Sequence, residues 1–388
     1  MAHRLLPLLG VLVLLTFLPR AALATPDMIR HGYTSCAQCH IDPSGAGTLT
    51  TYGRAQTEIL VATPWGARAA GWEPGTEKDF LFGVFPLPGG LTLQSDLRSV
   101  LIPRPGALRY ILMQADLRGN YAAGPFRAGG SLGAVSEGAR MARVSSGDTW
   151  NMVSREHWLG VAPARNLLVR VGRLNLPFGL RTEQHLLDPR VATRTDTNDD
   201  QQHGLAVAWE SGFMRAELMG IAGNLQVSPD DFRERGAVGY AAFPIGQRVE
   251  LGVSGLWASS KLDVDTLLPR TRQAYGLFGR AGLGPVALLG EADLLLDAHD
   301  DAAAAKGGTG FVQADWEAVQ GVHVLGTGEW CDDDLSDTSQ GVPTGTLSLH
   351  WFAWYRADIR VDAMRGVLAC TPGVEPAWMG LASFHFLL

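Results

Sequence analysis

The feature that most constrains the fold of this chain is a two-residue alternation of apolar and polar side chains, which recurs from about residue 90 to the C-terminus. In one segment the apolar members are Ile111, Met113, Ala115 and Leu117, and the polar members are Gln114, Asp116, Arg118 and Asn120. Successive side chains of a β-strand point to opposite faces of the sheet. Each such segment therefore predicts a strand with one apolar and one polar face.

The connections between the predicted strands alternate between short turns and long loops. Tight turns are predicted at 163–165, 244–246 and 282–285, and loops at 102–107, 175–202, 223–234 and 332–344. A soluble β-sandwich shares the residue alternation, but the regular change of loop length is typical of outer-membrane barrels. We predict a mainly β protein, an antiparallel outer-membrane β-barrel of about 16 strands over residues 79–388, which would contact outer-membrane lipid.

Aromatic residues recur near the ends of the predicted strands. In a membrane barrel such residues form girdles at the two lipid–water interfaces. The sequence predicts a girdle of Tyr121, Trp158, Trp209, Tyr240, Trp257, Tyr275, Trp351, Tyr355 and Trp378.

The first 24 residues have the three parts of an export signal. Arg4 gives the positive start, "LLPLLGVLVLLTFL" the apolar core, and Ala22-Leu23-Ala24 a small-residue cleavage site. An uncleaved anchor is the alternative, although the apolar run is short for a spanning helix. We predict a signal peptide over residues 1–24 and an exported protein. The net charge of −7 argues against a nucleic-acid partner.

Residues 25–78 lack the alternation and contain the spacing C-x-x-C-H at Cys36, Cys39 and His40. This spacing is the attachment signal for a c-type haem, since two thiols can bond the haem covalently and the following imidazole can coordinate its iron. We predict a cytochrome-like segment over 25–78 that carries one haem c. His31 is predicted to be the second axial ligand, and Met28 also lies just upstream of the motif.

Three other interpretations of the cysteine pair remain open. The pair could form a structural disulfide, or a thioredoxin-like redox pair, although no βαβ pattern surrounds it. It could also be half of a zinc site, although no second Cys or His pair lies nearby. Of the other two cysteines, Cys331 and Cys370 are predicted to lie in neighbouring loops. They could form a disulfide, remain free thiols or have a metal role.

Two further groups have alternative interpretations. Arg170, Arg173, Arg181, Arg190 and Arg194 could form a cationic constriction or pair with haem propionates, or could be ordinary lumen charges. The segment 49–60 has a helical period and predicts a short helix that packs on the haem.

Several residues around the haem motif carry a family resemblance. Gly32-Tyr33 precedes the motif, Pro43 follows it, and Tyr52-Gly53-Arg54 comes later. With the leader and the barrel, they resemble the fused monohaem cytochrome c–porins of the outer membrane, which include iron oxidases. The Gly-rich stretch after His40 is more similar to a broader set of exported barrels with a cytochrome c domain.

The resemblance implies electron transfer through the outer membrane. The expected partners are an extracellular donor or acceptor, with Fe(II) as one candidate metal ion, and a periplasmic c-type cytochrome or other electron carrier. An Fe(II):cytochrome oxidoreductase activity would follow. The alternatives are a solute porin with a structural or sensory haem, since "VGRLNLPFGLR" (171–181) resembles porins, and a periplasmic enzyme with a β-sandwich body.

Overall fold

The computed structural model describes residues 26–65, 80–81, 84–136, 140–146, 150–182, 184, 186–300, 303–337, 341–367 and 374–388. The predicted signal peptide lies outside these ranges, as do His185 and Cys370. No helix among the described residues is long and apolar enough to cross a membrane.

One antiparallel sheet contains all 18 strands of the described residues. In chain order these are β1 (Leu91–Arg104), β2 (Ala107–Ala123), β3 (Phe126–Val135), β4 (Arg143–Ser146), β5 (Asn151–Val153), β6 (His157–Ala164), β7 (Leu167–Leu174), β8 (Gln202–Glu210), β9 (Arg215–Gly223), β10 (Arg235–Ile245), β11 (Val249–Ser260), β12 (Arg270–Leu283), β13 (Val286–His299), β14 (Ala305–Val319), β15 (Val322–Asp332), β16 (Val342–Trp354), β17 (Ala357–Gly366) and β18 (Ala377–Leu387). β4 and β5 form a small hairpin within one loop. The remaining 16 strands (18 less these two) form the wall.

The wall closes because the first and last strands pair, with Asp96 opposite Leu387 and Leu101 opposite Ala382. Closure leaves no free sheet edge. A sheet that spans lipid must have no free edge, because its backbone groups cannot bond to water there. The prediction of an antiparallel barrel of about 16 strands is therefore confirmed.

Side chains alternate across the wall as the sequence predicts. The outward positions include exposed apolar residues such as Leu205, Leu218, Leu277 and Val312. The inward positions include buried charged residues such as Arg170, Glu217, Glu250 and Glu291. An apolar exterior around a polar interior is the arrangement expected of a barrel surrounded by lipid.

The two ends of the barrel differ. At one end, the short-turn end, the connections are 124–125, 165–166, 211–214, 246–248, 284–285, 320–321 and 355–356. At the other, the long-loop end, they are 105–106, 136–156, 175–201, 224–234, 261–269, 300–304, 333–341 and 367–376. The short turns of such barrels face the periplasm.

The predicted loop at 102–107 is wrong. β1 continues to Arg104, because Ile102 and Pro103 pair with Arg109 and Leu108 of β2. Only Pro105 and Gly106 form the turn, and Gly106 has a φ of 76°, which suits a tight hairpin.

The predicted aromatic girdle is correct only in part. Tyr121, Trp257, Tyr275, Trp351 and Trp378 are exposed, as a girdle requires. Trp158, Tyr240 and Tyr355 are buried, and Trp209 is partly buried. Trp158 and Tyr240 occupy inward positions of their strands and Tyr355 lies in a short turn, so proximity to a strand end did not determine which way each ring faces.

The N-terminal residues 26–65, here called the plug, lie inside the barrel at the short-turn end. They form a 3₁₀ helix (Pro26–His31), α1 (Thr51–Gln56) and a π-helical turn (Thr57–Val61). The helix predicted over 49–60 is thus present in two parts. Thr50 caps α1, since its hydroxyl accepts a hydrogen bond from the Gly53 N–H at 3.0 Å.

Hydrogen bonds join the plug to strands around most of the barrel. The pairs, each given with the barrel residue first, are Gln94–Leu49, Asn120–Thr48, Arg170–Asp42, Arg215–Cys36, Arg280–Thr34, Gln320–Ala62 and Phe352–Thr63. The plug is therefore part of the packed interior of the barrel.

The connection 175–201, here called the inward loop, folds into the lumen from the long-loop end. Its helix α2 (Asp188–Ala192) contacts β13, β14 and β15. Several hydrogen bonds fasten the loop to the wall. Among them, the Leu180 N–H donates to Glu291 at 2.7 Å, and the Asp188 N–H donates to Glu329 at 2.8 Å.

Candidate haem site

The three residues of the C-x-x-C-H motif lie in one tight turn of the plug. The N–H groups of Cys39 and His40 both donate to the carbonyl oxygen of Cys36, at 3.1 and 2.9 Å. Cys36 and Cys39 are both free thiols; Cys36 is half-buried and Cys39 is 2% exposed. Free thiols three residues apart are what covalent attachment of a c-type haem requires.

Helix α1 packs directly on this turn. The N–H of Thr50 donates to the carbonyl oxygen of Cys39 at 2.9 Å. A Cβ added to Gly53 would lie 2.2 Å from that same oxygen, so only glycine allows this approach. The following Arg54 donates to Leu93 of β1 at 2.6 Å. Tyr52-Gly53-Arg54 thus serves to hold the motif against the wall.

Three cavities meet at His40. The first, of about 30 Å³, is bordered by both motif cysteines and by Met28. The second, of about 170 Å³, reaches His385 and Asp358 of the wall. The third, of about 760 Å³, is bordered by residues of the short turns such as Arg165 and Ser211.

The donor set fits a c-type haem, since two free thiols and an adjacent imidazole lie on one turn. The 760 Å³ cavity beside His40 has the volume of a cofactor pocket. It is bordered by apolar rings and by cations that suit the ring and the propionates of a haem: Tyr121, Trp158, Tyr240, Arg127, Arg165 and Arg215. The 30 Å³ cavity is too small for a porphyrin, so seating one requires neighbouring side chains of the plug to shift.

Two side chains upstream of the motif could reach a haem iron. His31 ends the 3₁₀ helix, and its Nε2 is buried without a hydrogen-bond partner among the described residues. Burial and the nearby Arg30 lower the pKa of His31, which favours the neutral imidazole. Met28 is 1% exposed and borders the cavity that both cysteines line, whereas His31 does not border it.

The surroundings of the cysteines are polar on one side and apolar on the other. Burial, and then the neighbouring Cys36, raises the pKa of the Cys39 thiol to about 11. On the polar side, Arg215 of β9 donates to the Cys36 sulfur at 3.3 Å and also contacts Tyr240. Arg215 and Tyr240 were missed by sequence reasoning, because they meet the motif only through the register of the barrel.

The five arginines singled out in the sequence are engaged as ordinary lumen charges. Arg170 pairs with Asp42 and Glu217, Arg190 with Glu291, and Arg194 with Asp263 and Asp265. Arg173 donates to Asn224 and Arg181 to backbone carbonyls, including that of Thr195. Each of the five guanidinium groups donates at least one hydrogen bond to a protein partner, which favours the interpretation as structural charges over a bare cationic constriction.

The inward loop packs in the lumen on the far side of the site. Its Asn175 donates to Asp42 of the plug at 3.0 Å. Arg181 lies beside Gly45 of the plug: a Cβ built on Gly45 would be 3.7 Å from the Cβ of Arg181. Within the plug, the motif therefore lies between the wall and the inward loop. The disulfide predicted between Cys331 and Cys370 stays a prediction, since Cys370 lies outside the described residues.

The fold and the position of the plug define a porin-type barrel of the outer-membrane class with an N-terminal segment packed in its lumen. Among solved structures, the chain is similar to OmpT of Vibrio cholerae (TM-score 0.62, 11% identity, 78% of this chain and 99% of that one). It is also similar to an anion-selective porin from Comamonas acidovorans (0.53, 15%, 77% and 99%) and to the outer membrane channel DcaP of Acinetobacter baumannii (0.53, 12%, 78% and 99%). At these identities the likeness shows the fold alone. No protein-family model and no curated protein matches the sequence.

Proposed function

We propose that this protein transfers electrons across the bacterial outer membrane, with one c-type haem bound covalently to Cys36 and Cys39 inside the barrel. The extracellular partner is a donor or acceptor, with Fe(II) as one candidate, and the periplasmic partner is a c-type cytochrome or similar carrier. When bound, the haem supplies one-electron chemistry.

The observation that carries this proposal is the location of the motif within the lumen. The apolar band of a membrane barrel is about 25 Å tall. A single haem on a peripheral domain would leave that distance uncrossed. A plug that is hydrogen-bonded to strands around the wall instead holds the motif inside the barrel.

The residues of the chain have separate roles in this proposal. Cys36 and Cys39 would anchor the cofactor, and His40 would coordinate its iron. A second ligand would come from His31, as the sequence predicts, or from Met28, which borders the same cavity as the motif. The 760 Å³ cavity beside His40 reaches the short turns, the side from which a periplasmic carrier would approach.

The alternative, a solute porin with a structural or sensory haem, has support from the fold, because the similar structures include channels. The packing of the plug and inward loop in the lumen argues against a wide open pore. Conductance separates the two functions: an electron-transfer barrel passes few ions in planar bilayers, whereas a porin forms open channels.

The first test uses outer membranes from cells that also express a c-type maturation system. A denaturing gel stained for haem peroxidase activity compares wild type with Cys36→Ala/Cys39→Ala and with the control Cys331→Ala/Cys370→Ala, which removes the other two cysteines together. A stained band in wild type and control, absent in the double variant, supports the proposal. Purified protein in liposomes that enclose an electron acceptor then tests transfer from external Fe(II). Barrel protein without haem stain overturns the proposal, and haem stain without transfer from Fe(II) excludes Fe(II) as the extracellular donor.

A further inference from the structure

A buried group of carboxylates and one histidine joins the plug to the wall near the short-turn end. Asp27 belongs to the 3₁₀ helix of the plug, Asp315 to β14 and His323 to β15. They are 6%, 7% and 2% exposed. Ligand atoms of the three lie within 4.8 Å of one another. None of these residues belongs to the haem motif.

The two ring nitrogens of His323 differ: one is hydrogen-bonded to a described residue and the other is not. Its Nδ1 is hydrogen-bonded to Asp315 at 2.8 Å. Its Nε2 is buried and has no hydrogen-bond partner among the described residues. When a carboxylate accepts a hydrogen bond from one ring nitrogen, the lone pair of the other nitrogen points away from that carboxylate and is available to a metal ion. This arrangement is usual for a metal-binding histidine.

A further carboxylate lies beside this nitrogen. Oε1 of Glu317 is 3.7 Å from the Nε2 of His323, beyond hydrogen-bond distance. Two ligands that each lie about 2.1 Å from one ion can be up to about 4.2 Å apart, so this separation can accommodate a shared cation. Glu317 is held in place, because Gly321 donates to its Oε1 at 3.2 Å and Arg30 donates to its Oε2.

The local charges also suit a divalent cation. Asp27, Asp315 and Glu317 contribute three negative charges and Arg30 one positive charge, which leaves a formal charge of −2 around the His323 ring. Carboxylate oxygens with one imidazole suit borderline transition cations such as Zn²⁺ and Fe²⁺.

We propose that His323, Glu317 and Asp27 bind one divalent transition cation, with Asp315 as the positioning residue for the imidazole. The ion joins Asp27 of the plug to Glu317 and His323 of the wall, and so latches the plug in the barrel. This site is independent of haem binding, and its test does not require electron transfer.

Zinc is the probe. The full-length mature protein, purified in detergent with its haem, is stripped with a chelator and equilibrated with Zn²⁺, and bound metal is measured by elemental analysis. We expect one more Zn²⁺ per chain in wild type than in His323→Gln, with affinity at least tenfold weaker in the variant. Asp358→Asn is the matched control, because Asp358 is another partly buried lumen carboxylate bonded to histidine, at His350 and His385.

A second readout and a second variant keep the test decisive. Zn²⁺ should slow proteolytic release of the plug in wild type and in Asp358→Asn, but not in His323→Gln. Glu317→Gln, which preserves the side-chain shape, should behave like His323→Gln and decides the question if His323→Gln fails to fold. Equal zinc content in wild type and in a folded His323→Gln or Glu317→Gln protein overturns the proposal, whatever the result for haem.

Discussion

The carboxylate of Asp42, two positions after His40 in the plug, lies 3.2 Å from a guanidinium nitrogen of Arg170 on β7. Both side chains are buried. Asn175 of the inward loop donates to the other oxygen of Asp42 at 3.0 Å. Burial alone would raise the pKa of Asp42, but Arg170 and Asn175 hold it well below its usual range. Asp42 thus joins the plug, the wall and the inward loop.

Replacing Asp42 with alanine should loosen the plug. Breaking a buried ion pair costs about 3 kcal/mol, although Arg170 would retain Glu217 as a partner. We expect higher and more variable ion conductance in planar bilayers and faster proteolysis of the plug. Asp230→Ala, which removes an exposed ion pair with Arg235, should change neither quantity. Identical conductance of wild type and Asp42→Ala would show that Asp42 does not hold the plug.

Covalent attachment of haem should precede packing of the plug into the barrel. Cys39 is 2% exposed, and the cavity that both cysteines border has a volume of about 30 Å³. A porphyrin cannot reach both thiols without displacing the packed side chains. Haem-free protein that is first refolded in detergent and then given haem and reductant should gain little covalent haem, measured by mass spectrometry. The unfolded chain under the same conditions is the comparison, and equal attachment to both would contradict this order.

If the proposed haem is bound, the second protein ligand of its iron can be assigned by comparing two variants. Met28 borders the cavity of the motif, whereas the Nε2 of His31 is buried nearby without a partner among the described residues. A thioether ligand raises the reduction potential of a haem relative to a second imidazole. If Met28 is the ligand, Met28→Ala should change the ferric absorption spectrum and lower the potential, while His31→Ala leaves both unchanged. A changed ferric spectrum in His31→Ala, with Met28→Ala unchanged, would assign His31.

Replacing Gly53 with alanine should displace α1 from the haem motif. The added Cβ would lie 2.2 Å from the carbonyl oxygen of Cys39, and this is a backbone atom that cannot rotate away. Overpacking of this kind costs about 1–3 kcal/mol. We expect faster hydrogen exchange in residues 36–56. Gly326→Ala is the control, since no atom lies within 4 Å of its added Cβ. Unchanged exchange in Gly53→Ala would mean that α1 can shift without cost.

Much of the fold could be predicted from the sequence, because strand alternation is a local property. Residues 111–120 have the predicted faces in β2: the odd-numbered apolar residues point outward and the even-numbered polar ones inward. The error at 102–107 arose because Pro103 and Pro105 interrupt the alternation, although the hairpin continues through Pro103. The local sequence pattern cannot show how far a strand extends, because that depends on hydrogen bonds between its backbone and the neighbouring strand.

The candidate site could be predicted only where its chemistry is local. Cys36, Cys39 and His40 are close in sequence, so their spacing alone indicates a haem. The contact of Arg215 with Cys36 joins positions 179 residues apart. The approach of His323 to Asp27 likewise depends on where the plug enters the barrel. Such contacts follow from strand register and plug position, which the amino-acid pattern does not specify.

The docking of the inward loop should weaken as pH rises, because of Asp188. This residue is 2% exposed, and burial raises the pKa of its carboxyl to about 6. The ordinary value is about 3.9, so between about pH 4 and 6 the docked loop binds the proton more tightly than the released loop. The contribution of Asp188 to docking is therefore most favourable below pH 4, falls as pH rises through 6, and then stays low.

Asp188→Asn tests this pH dependence. The asparagine does not ionise, so the variant loop should be more stable than wild type by about 2–3 kcal/mol at pH 7–8 and equal to it near pH 4. Hydrogen exchange of residues 186–201, corrected for the intrinsic rate at each pH, measures the free energy of opening. Asp230→Asn is the matched control, because Asp230 lies in an exposed loop. If wild type and Asp188→Asn open with the same free energy at pH 8, the Asp188 carboxyl carries no such cost, and the docking of the loop is set by its hydrogen bonds to Glu291 and Glu329.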